Sequence, residues 1–205
     1  MRSFRQLIFT FTTPLWLAGF ISLAPAAMGA SAESADTVSY TLTRQYGSVL
    51  FRVLQQEYLN LVGRFDDYSA TLEMDFDDLS NSRLTATVQM GSLNLTDGDV
   101  EETLINSSIW FNAPLYPQAT FTTTSVDVTG ENSADFNGEL TFLGITKPWT
   151  LHVTFFGGTD DKLTGSTIGM LATGSFSRTD FGMDQYMNMA ADLVSIEVNA
   201  KFNRD

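Results

Sequence analysis

Apolar and polar residues alternate along most of this chain, and the clearest case is the stretch 138–156. In its first arm Leu140 and Phe142 alternate with polar residues, and every second residue from Trp149 is apolar in its second arm. A period of two places every second side chain on one face of a strand. The stretch therefore predicts a β-hairpin whose arms share an apolar face and are joined by a loop at Gly144–Pro148.

The same alternation predicts strands on both sides of this hairpin. They are Thr37–Arg44, Ser48–Leu54, Gly63–Asp75, Leu84–Met90, Ala119–Val126, Thr167–Arg178 and Leu193–Asn203. Such alternation marks antiparallel sheets with one buried and one wetter face. Eight or nine strands without a repeat predict one domain, and closure into a barrel best protects the sheet edges. We expect an all-β fold, an eight-stranded antiparallel barrel, with a β-sandwich as the alternative.

One insertion breaks the strand pattern, at residues 97–117. Val100–Ile105 predicts a short helix, because the acidic residues at its start favour the helix dipole. Trp110, Phe111 and Leu115 follow, and this cluster is too apolar for a free loop. The insertion is expected either to cover one end of the barrel as a lid or to be a plain corner crossing.

The N-terminus has the pattern of a secretory signal peptide. Arg2 and Arg5 precede an apolar run from Leu7 to Leu23, and small residues follow. We expect residues 1–30 to be a cleaved signal, residues 31–36 a linker and residues 37–205 the barrel domain. The alternative is a membrane anchor, since the run is long enough to span a bilayer. Cleavage would leave an exported protein with no stable membrane anchor.

The net charge of the chain limits which classes of partner it can bind. The formal charge is −13, and loss of Arg2 and Arg5 with the signal changes it to −15. This charge repels phosphate backbones and anionic membrane surfaces over a Debye length of about 8 Å. We expect no nucleic-acid partner; a soluble exported protein kept from aggregating by its charge is the simplest interpretation. The chain has no cysteine, so it forms no disulfide.

Catalytic chemistry has little support in the sequence. The single histidine, His152, is expected on the outer face with Thr150 and Thr154. A serine nucleophile would need a histidine partner. Acidic pairs such as Asp66-Asp67 leave a carboxylate-pair hydrolase open, although acidic turns are the ordinary interpretation. Asp97-Gly98-Asp99 lacks the full twelve-residue spacing of a calcium loop. We therefore predict no catalytic residue, no metal and no cofactor.

Three segments, in order, carry motifs of one known family. Tyr116–Phe121 resembles that family's Tyr-Pro-x-Ala-x-Phe segment and follows Trp110–Asn112, where the family usually has Phe-Phe-Asp. Gly138–Pro148 is similar to the family's most recognisable hairpin, and Arg178–Met183 resembles its Arg-x-Asp-Phe-Gly-Met turn. On these segments, which lie in the family's order between residues 110 and 183, the chain resembles the YceI-like family of proteins exported by bacteria.

The resemblance implies a lipocalin-like barrel whose interior holds the apolar tail of a long polyisoprenoid or similar amphipathic lipid. It implies a periplasmic carrier, buffer or storage protein and not an enzyme, with the oligomeric state open and a dimer as one option. The chain departs from the family at Gln55, where a histidine is common, and at Val100-Glu101, where an Arg-Asp pair is common. These departures concern polar head-group contacts and leave the apolar interior intact.

Ten apolar residues of the expected inner face are the candidate ligand-binding set. They are Phe51, Val53, Phe121, Leu140, Phe142, Leu151, Val153, Ile168, Met170 and Ile196. An eight-stranded barrel is either filled by its side chains or holds one small ligand. Every barrel needs apolar inward residues, so the alternative is that these residues are core alone; the resemblance favours ligand lining.

Two further features lie near the end of the chain. Met183, Met187 and Met189 fall in a loop that either lines the barrel mouth or folds onto the barrel end, and methionine suits adaptable apolar surfaces. Arg178 is expected to hold its turn through Asp180; the alternative is contact with an anionic head group.

Two other function classes stay open from the sequence. One is a hydrolase or isomerase that acts on an envelope lipid through acidic residues, and two carboxylates converging on one cleft wall would favour it. The other is a stress-related structural or interaction protein with a filled barrel, which continuous packing would favour. A long tunnel would favour the lipid carrier.

Overall fold

The computed structural model describes residues 37–157 and 165–205, so the expected signal and linker lie outside the described residues. The strands are β1 (Val38–Leu42), β2 (Ser48–Gln55), β3 (Leu59–Phe65), β4 (Tyr68–Met74), β5 (Arg83–Gln89), β6 (Leu93–Asn94), β7 (Gln118–Val128), β8 (Ser133–Phe142), β9 (Ile145–Gly157), β10 (Thr167–Ser177) and β11 (Ala190–Arg204). Helix α1 (Gly98–Asn106) lies between β6 and β7, where the sequence predicts it.

All pairings are antiparallel, and the sheet closes because β1 and β2 both pair with β11. Three long strands of the barrel are bent, and each is divided into two of these elements. β1 and β2 form the first, β3 and β4 the second, and β5 and β6 the third. Counted this way, eight long strands form the barrel, each beside its neighbour in the sequence. The expected eight-stranded antiparallel barrel with a single helical insertion is confirmed.

The bend between β3 and β4 corrects one predicted strand. Gly63–Asp75 is not continuous, because the backbone amides of Asp66 and Asp67 turn to the segment around Ser92. Asp66 N–H donates to the Ser92 carbonyl at 3.0 Å, and Asp67 N–H donates to the Ser92 hydroxyl at 2.9 Å. These donors leave the ladder, so the strand is interrupted there.

The β8–β9 hairpin turns more tightly than the sequence predicts. Leu143 and Gly144 form the turn with positive φ of 51° and 74°, and β9 begins at the next residue. Pro148 therefore lies inside a strand, opposite Glu139. The strand tolerates this proline because the β9–β10 ladder begins only at His152, so no partner strand requires a donor from Pro148.

The barrel interior divides into two clusters of buried side chains. One, here called the filled half, contains Tyr40, Leu72, Met74, Phe136 and Ile168 among its members, and none of these five is more than 1% exposed. The other surrounds the end covered by α1. Across residues 37–157 and 165–205, no helix is long and apolar enough to cross a membrane.

Candidate functional site

A cavity of about 500 Å³ occupies the part of the barrel covered by α1, here called the hollow half. Most of its wall is aliphatic or aromatic. The apolar wall includes Leu42, Val49, Phe51, Val53, Leu61, Phe65, Ala70, Leu84, Ala86, Val88, Leu104, Trp110, Phe111, Ala119, Phe121, Leu140, Phe142, Trp149, Leu151, Met170, Ala172, Phe176, Met183, Val194, Ile196, Val198 and Phe202. Such a wall suits an apolar ligand or ligand tail.

Small side chains at inward positions account for the open volume. Ala70 and Ala86 face each other on β4 and β5, and Ala86 is opposite Phe121 on β7. Ala172 lines the cavity from β10. Alanine contributes only a methyl group, whereas the next inward residues of β4, Leu72 and Met74, are large and fully buried. The strand pattern is kept, but the centre of this half is not filled.

Two glycines let aromatic rings lie flat against neighbouring strands. A Cβ atom at Gly63 would lie 2.1 Å from the Phe51 ring, and one at Gly174 would lie 2.6 Å from the Trp149 ring. Such distances are shorter than non-bonded contact allows, so glycine is required for these ring positions. Phe51 and Trp149 both reach the cavity wall in this way.

Helix α1 is fixed beside the cavity by carboxylates at its start. Asp97 is the N-cap, and its Oδ1 accepts from the backbone N–H of Asp99 at 3.1 Å and of Val100 at 3.2 Å. Glu101 accepts from the backbone N–H of Leu95 at 2.7 Å. The bonds to Asp97 satisfy helix donors that would otherwise lack a partner, and the bond to Glu101 joins the helix to the residue that follows β6.

The segment after α1 inserts an aromatic side chain into the barrel. The Phe111 ring lies 5.9 Å from the rings of Phe51 and Phe142 and 6.1 Å from that of Phe65, measured between ring centroids. Aromatic pairs at such separations are favourable contacts. The insertion thus covers the barrel end, which favours the lid over a plain corner crossing.

Arg178 closes the same end from the β10–β11 loop. Its side chain is buried, and its Nε donates to the Ala191 carbonyl at 3.1 Å. One terminal nitrogen donates to the Met183 carbonyl, and the other donates to the carbonyls of Gln185 at 2.9 Å and Ala190 at 3.0 Å. A planar guanidinium suits this set of acceptors, so one side chain holds the whole loop.

The expected Arg178–Asp180 contact is replaced by these carbonyl bonds, and Asp192, not Asp180, binds the turn by accepting from Thr179 N–H at 3.0 Å. Burial lowers the pKa of Arg178, while Asp192 opposes that change. Arg178 also lies 5.4 Å from the centre of the Trp110 ring, which stacks on Tyr186. The β10–β11 loop and the lid are therefore joined.

Exposed wall residues mark where the cavity reaches solvent. Asp97, Asp99 and Thr103 reach the wall from the α1 side, Met189 reaches it from the β10–β11 loop, and Ser69 of β4 is also exposed. The α1 side, where most of them lie, is here called the opening. β3 pairs with β6 only through its last two residues, so the sheet is not continued beside Leu61.

The structure brings eight of the ten candidate lining residues to the cavity wall. These are Phe51, Val53, Phe121, Leu140, Phe142, Leu151, Met170 and Ile196. Val153 and Ile168 face inward but lie in the filled half, at 2% and 0% exposure, and are not part of the wall. Alternation identifies the inner face of a strand but not the depth of a residue along the barrel. Ligand contact at all ten positions stays a prediction.

Several wall residues were missed. Trp149 alternates with Leu151, and Ala86 alternates with Leu84 and Val88, so both were recognisable as inward, whereas nothing local in the sequence assigns Phe111 to the cavity. The three methionines of the β10–β11 loop have different contacts. Met183 and Met189 line the cavity wall. Met187 instead accepts a hydrogen bond from Arg178 at 3.0 Å through its sulfur.

His152 and the acidic turn around Asp75 lie away from the cavity, whereas Asp97 and Asp99 reach its wall. His152 is on the outer face as predicted, with its side chain 63% exposed and Nδ1 2.7 Å from an Asp135 carboxylate oxygen. Asp75 accepts from the backbone N–H groups of Asp77 and Asp78 in a turn at the opposite end. Within the described part of the chain, no group of three or more His, Asp or Glu side chains is placed to hold a metal ion.

These features define a class: closed antiparallel β-barrels with an apolar interior cavity. The chain belongs to the YceI-like family, whose YceI-like domain matches residues 40–202. Protein YceI of Escherichia coli is 30% identical over 183 residues, covering 88% of this chain and 95% of that protein.

Two solved structures share this fold at low sequence identity. Burkholderia cenocepacia BcnA has a TM-score of 0.70 at 23% identity, covering 78% of this chain and 98% of BcnA. A polyisoprenoid binding domain from Saccharophagus degradans has a TM-score of 0.60 at 14% identity, covering 82% of this chain and 99% of that domain. At these identities the likeness shows the shared fold.

Proposed function

We propose that this protein binds a long-chain polyisoprenoid or similar amphipathic lipid in the hollow half of its barrel. The observation that carries the proposal is the apolar cavity of about 500 Å³. Its volume lies within the range of about 300–1,000 Å³ typical of small-ligand sites. In solution, an exposed apolar surface of this kind is more stable when a hydrocarbon covers it.

Affinity in such a cavity comes from apolar burial. Each buried methylene contributes about 0.8 kcal/mol, so several isoprene units supply useful affinity without a specific polar contact. Met183 and Met189 add adaptable side chains to the wall and its opening. Tail length and branching would be weakly discriminated.

The likeness to the Saccharophagus degradans domain, which is named for polyisoprenoid binding, supports the same ligand class for this chain. Binding, and not catalysis, fits the placement of its titratable groups. His152 lies on the outer face. Asp97 and Asp99 approach the opening from one helix end, whereas carboxylate pairs of glycosidases flank the bond they cleave.

The filled-barrel alternative agrees with only part of the interior. The filled half is packed continuously, but the hollow half retains a cavity beneath its lid. This cavity and the predicted signal peptide at residues 1–30 support our proposal of a carrier, buffer or storage role. We place the mature protein in the periplasm. Peptide mapping of the mature N-terminus tests this location, and an intact segment Leu7–Leu23 in membranes would contradict it.

Mass spectrometry of the mature protein, purified gently from a bacterial envelope, tests the binding proposal. Native spectra should show a bound mass, and denaturing spectra should release a stoichiometric isoprenoid or other lipid. The delipidated protein should then bind added polyprenols with a change in tryptophan fluorescence, because Trp110 and Trp149 line the cavity. An empty protein that ignores polyprenols would overturn the proposal.

A further inference from the structure

We infer that the cavity opening selects against anionic head groups, so the ligand is an amphiphile with an uncharged or cationic head. This inference rests on the proposed function and concerns the same cavity. Among the wall residues that the structure describes, three are charged: Asp97, Asp99 and Arg178. Their positions and hydrogen bonds decide what a head group meets.

The two carboxylates lie at the opening, where a polar head must remain when an apolar tail fills the cavity. Asp97 and Asp99 are both exposed and both contribute to the wall. Glu101 and Glu102 follow on the same helix. A phosphate or carboxylate head placed here would meet like charges, and such repulsion weakens binding.

Arg178 is the one cation in the described wall, and four of its five N–H groups already donate to carbonyls. The acceptors are Met183 and Gln185 in the β10–β11 loop and Ala190 and Ala191 at the start of β11. The Arg178 side chain is only 2% exposed. A phosphate that took two hydrogen bonds from Arg178 would remove at least one of these bonds from a backbone carbonyl, which is costly.

The start of α1 is the other place where an anion might bind, because free backbone N–H groups there attract negative charge. In this chain the N–H groups of Asp99 and Val100 already donate to the carboxylate of Asp97. The helix start is thus capped from within the chain. Carboxylates and not free donors face the opening.

Uncharged heads avoid this repulsion. A hydroxyl head can donate to the oxygen of Thr103, whose own proton goes to the Asp99 carbonyl at 2.8 Å. A hydroxyl or a carbonyl head can hydrogen bond to the side chain of Gln55, which also reaches the wall. A cationic head would in addition be attracted by Asp97 and Asp99. Amphiphiles with anionic, uncharged and cationic heads but one tail make the same tail contacts, so the opening decides which head group binds best.

A matched pair of probes tests the inference on the mature, delipidated protein: geranylgeraniol and geranylgeranyl phosphate, which share one tail. At low salt the alcohol should bind roughly tenfold more tightly than the phosphate, as expected for like charges held close together near a protein surface. Added salt should narrow this ratio by screening, whereas a steric cause would be insensitive to salt.

Charge-neutral variants locate the cause. The double variant Asp97→Asn and Asp99→Asn keeps a good N-cap, because asparagine caps helices about as well as aspartate. In this variant the ratio of the two dissociation constants should move toward one. A matched control, Asp77→Asn with Glu131→Gln, removes two exposed charges from turns at the opposite end and should keep the wild-type ratio.

The outcomes separate the inference from the proposed function. Equal or tighter binding of the phosphate by the wild type, or a ratio unchanged in the Asp97→Asn and Asp99→Asn variant, overturns the inference while lipid binding stands. Failure of both probes to bind overturns the proposed function and the inference with it.

Discussion

The filled half and the hollow half of this barrel are built from the same strands, with the same alternation, yet only one of them is packed to its centre. β4 shows the difference within one element: Leu72 and Met74 are fully buried in the filled half, and Ala70 of the same face borders the cavity. A change from leucine to alanine along one strand face is enough to pass from core to cavity wall.

The two halves also differ in how their ends are closed. Arg178 donates to loop carbonyls beside the cavity, and Asp75 accepts from backbone N–H groups at the filled end. In both cases a charged side chain satisfies the backbone of a turn that no ladder could satisfy. The filled end relies in addition on Phe76 and Leu79, which pack on the core.

The largest expected effect comes from matched truncations in the two halves. Leu72→Ala should lower the free energy of unfolding by about 3–5 kcal/mol, because it opens a new cavity in the filled half. Leu140→Ala should lower it by about 1–3 kcal/mol, because Leu140 already borders open volume. Urea unfolding of the delipidated proteins measures both. Equal losses would mean that the cavity does not weaken the packing of its wall.

Arg178→Lys is expected to have the next largest effect, at the end of the hollow half. An ammonium cannot reach the several carbonyls that the guanidinium holds, so the unfolding free energy should fall by about 2–3 kcal/mol. Arg52→Lys is the control: that side chain is half exposed, and a change below about 0.5 kcal/mol is expected. Faster proteolysis within residues 184–189 should accompany the loss. Unchanged stability and proteolysis would show that other contacts hold the loop.

Replacing an alanine by leucine should also affect the two halves differently. Ala134→Leu, in the filled half, should cost about 1–3 kcal/mol through overpacking, whereas Ala86→Leu should cost less than about 1 kcal/mol because the cavity accepts the larger side chain. Ala86→Leu should nevertheless weaken polyprenol binding, since it occupies ligand volume. Tryptophan fluorescence titration measures the binding. Undiminished binding in Ala86→Leu would place the ligand elsewhere.

The alternation of residues predicted the barrel, its strand count and its inner face, because a period of two is a local property. It did not separate Val153 and Ile168 from the cavity wall, because depth along the barrel depends on strand tilt and register. It placed Ala86 on the inner face with Leu84 and Val88 but did not show that open volume lies beside this alanine.

The lid and the role of Arg178 needed the fold as well. Phe111 contacts Phe51, Phe65 and Phe142, residues from distant parts of the chain that meet only when the barrel closes. The acceptors of Arg178 are backbone carbonyls, which every residue has and no sequence pattern marks. The motif Arg178–Met183 therefore predicted a structured turn but not the hydrogen-bond partners of Arg178.

The smallest expected effect is a pH dependence at the filled end. The hydrogen bond from the Asn81 side chain, with those from the backbone N–H groups of Asp78 and Asp77, holds the pKa of Asp75 below its ordinary value. Since the folded-state pKa lies below the unfolded value of about 3.9, this carboxylate stabilises the fold above that pH. The contribution is lost as the pH falls through the folded-state pKa.

Asp75→Asn should therefore lower the free energy of unfolding at pH 7, and its difference from the wild type should shrink as the pH falls below about 4. Asp77→Asn is the control, because the side chain of Asp77 is exposed and makes no comparable bonds to the turn. The guanidinium of Arg178 stays charged over this range, so the cost of Arg178→Lys should change far less with pH. Urea unfolding between pH 7 and pH 3 distinguishes these responses. A constant difference between Asp75→Asn and the wild type would show that the turn closes the filled half without help from the charge of Asp75.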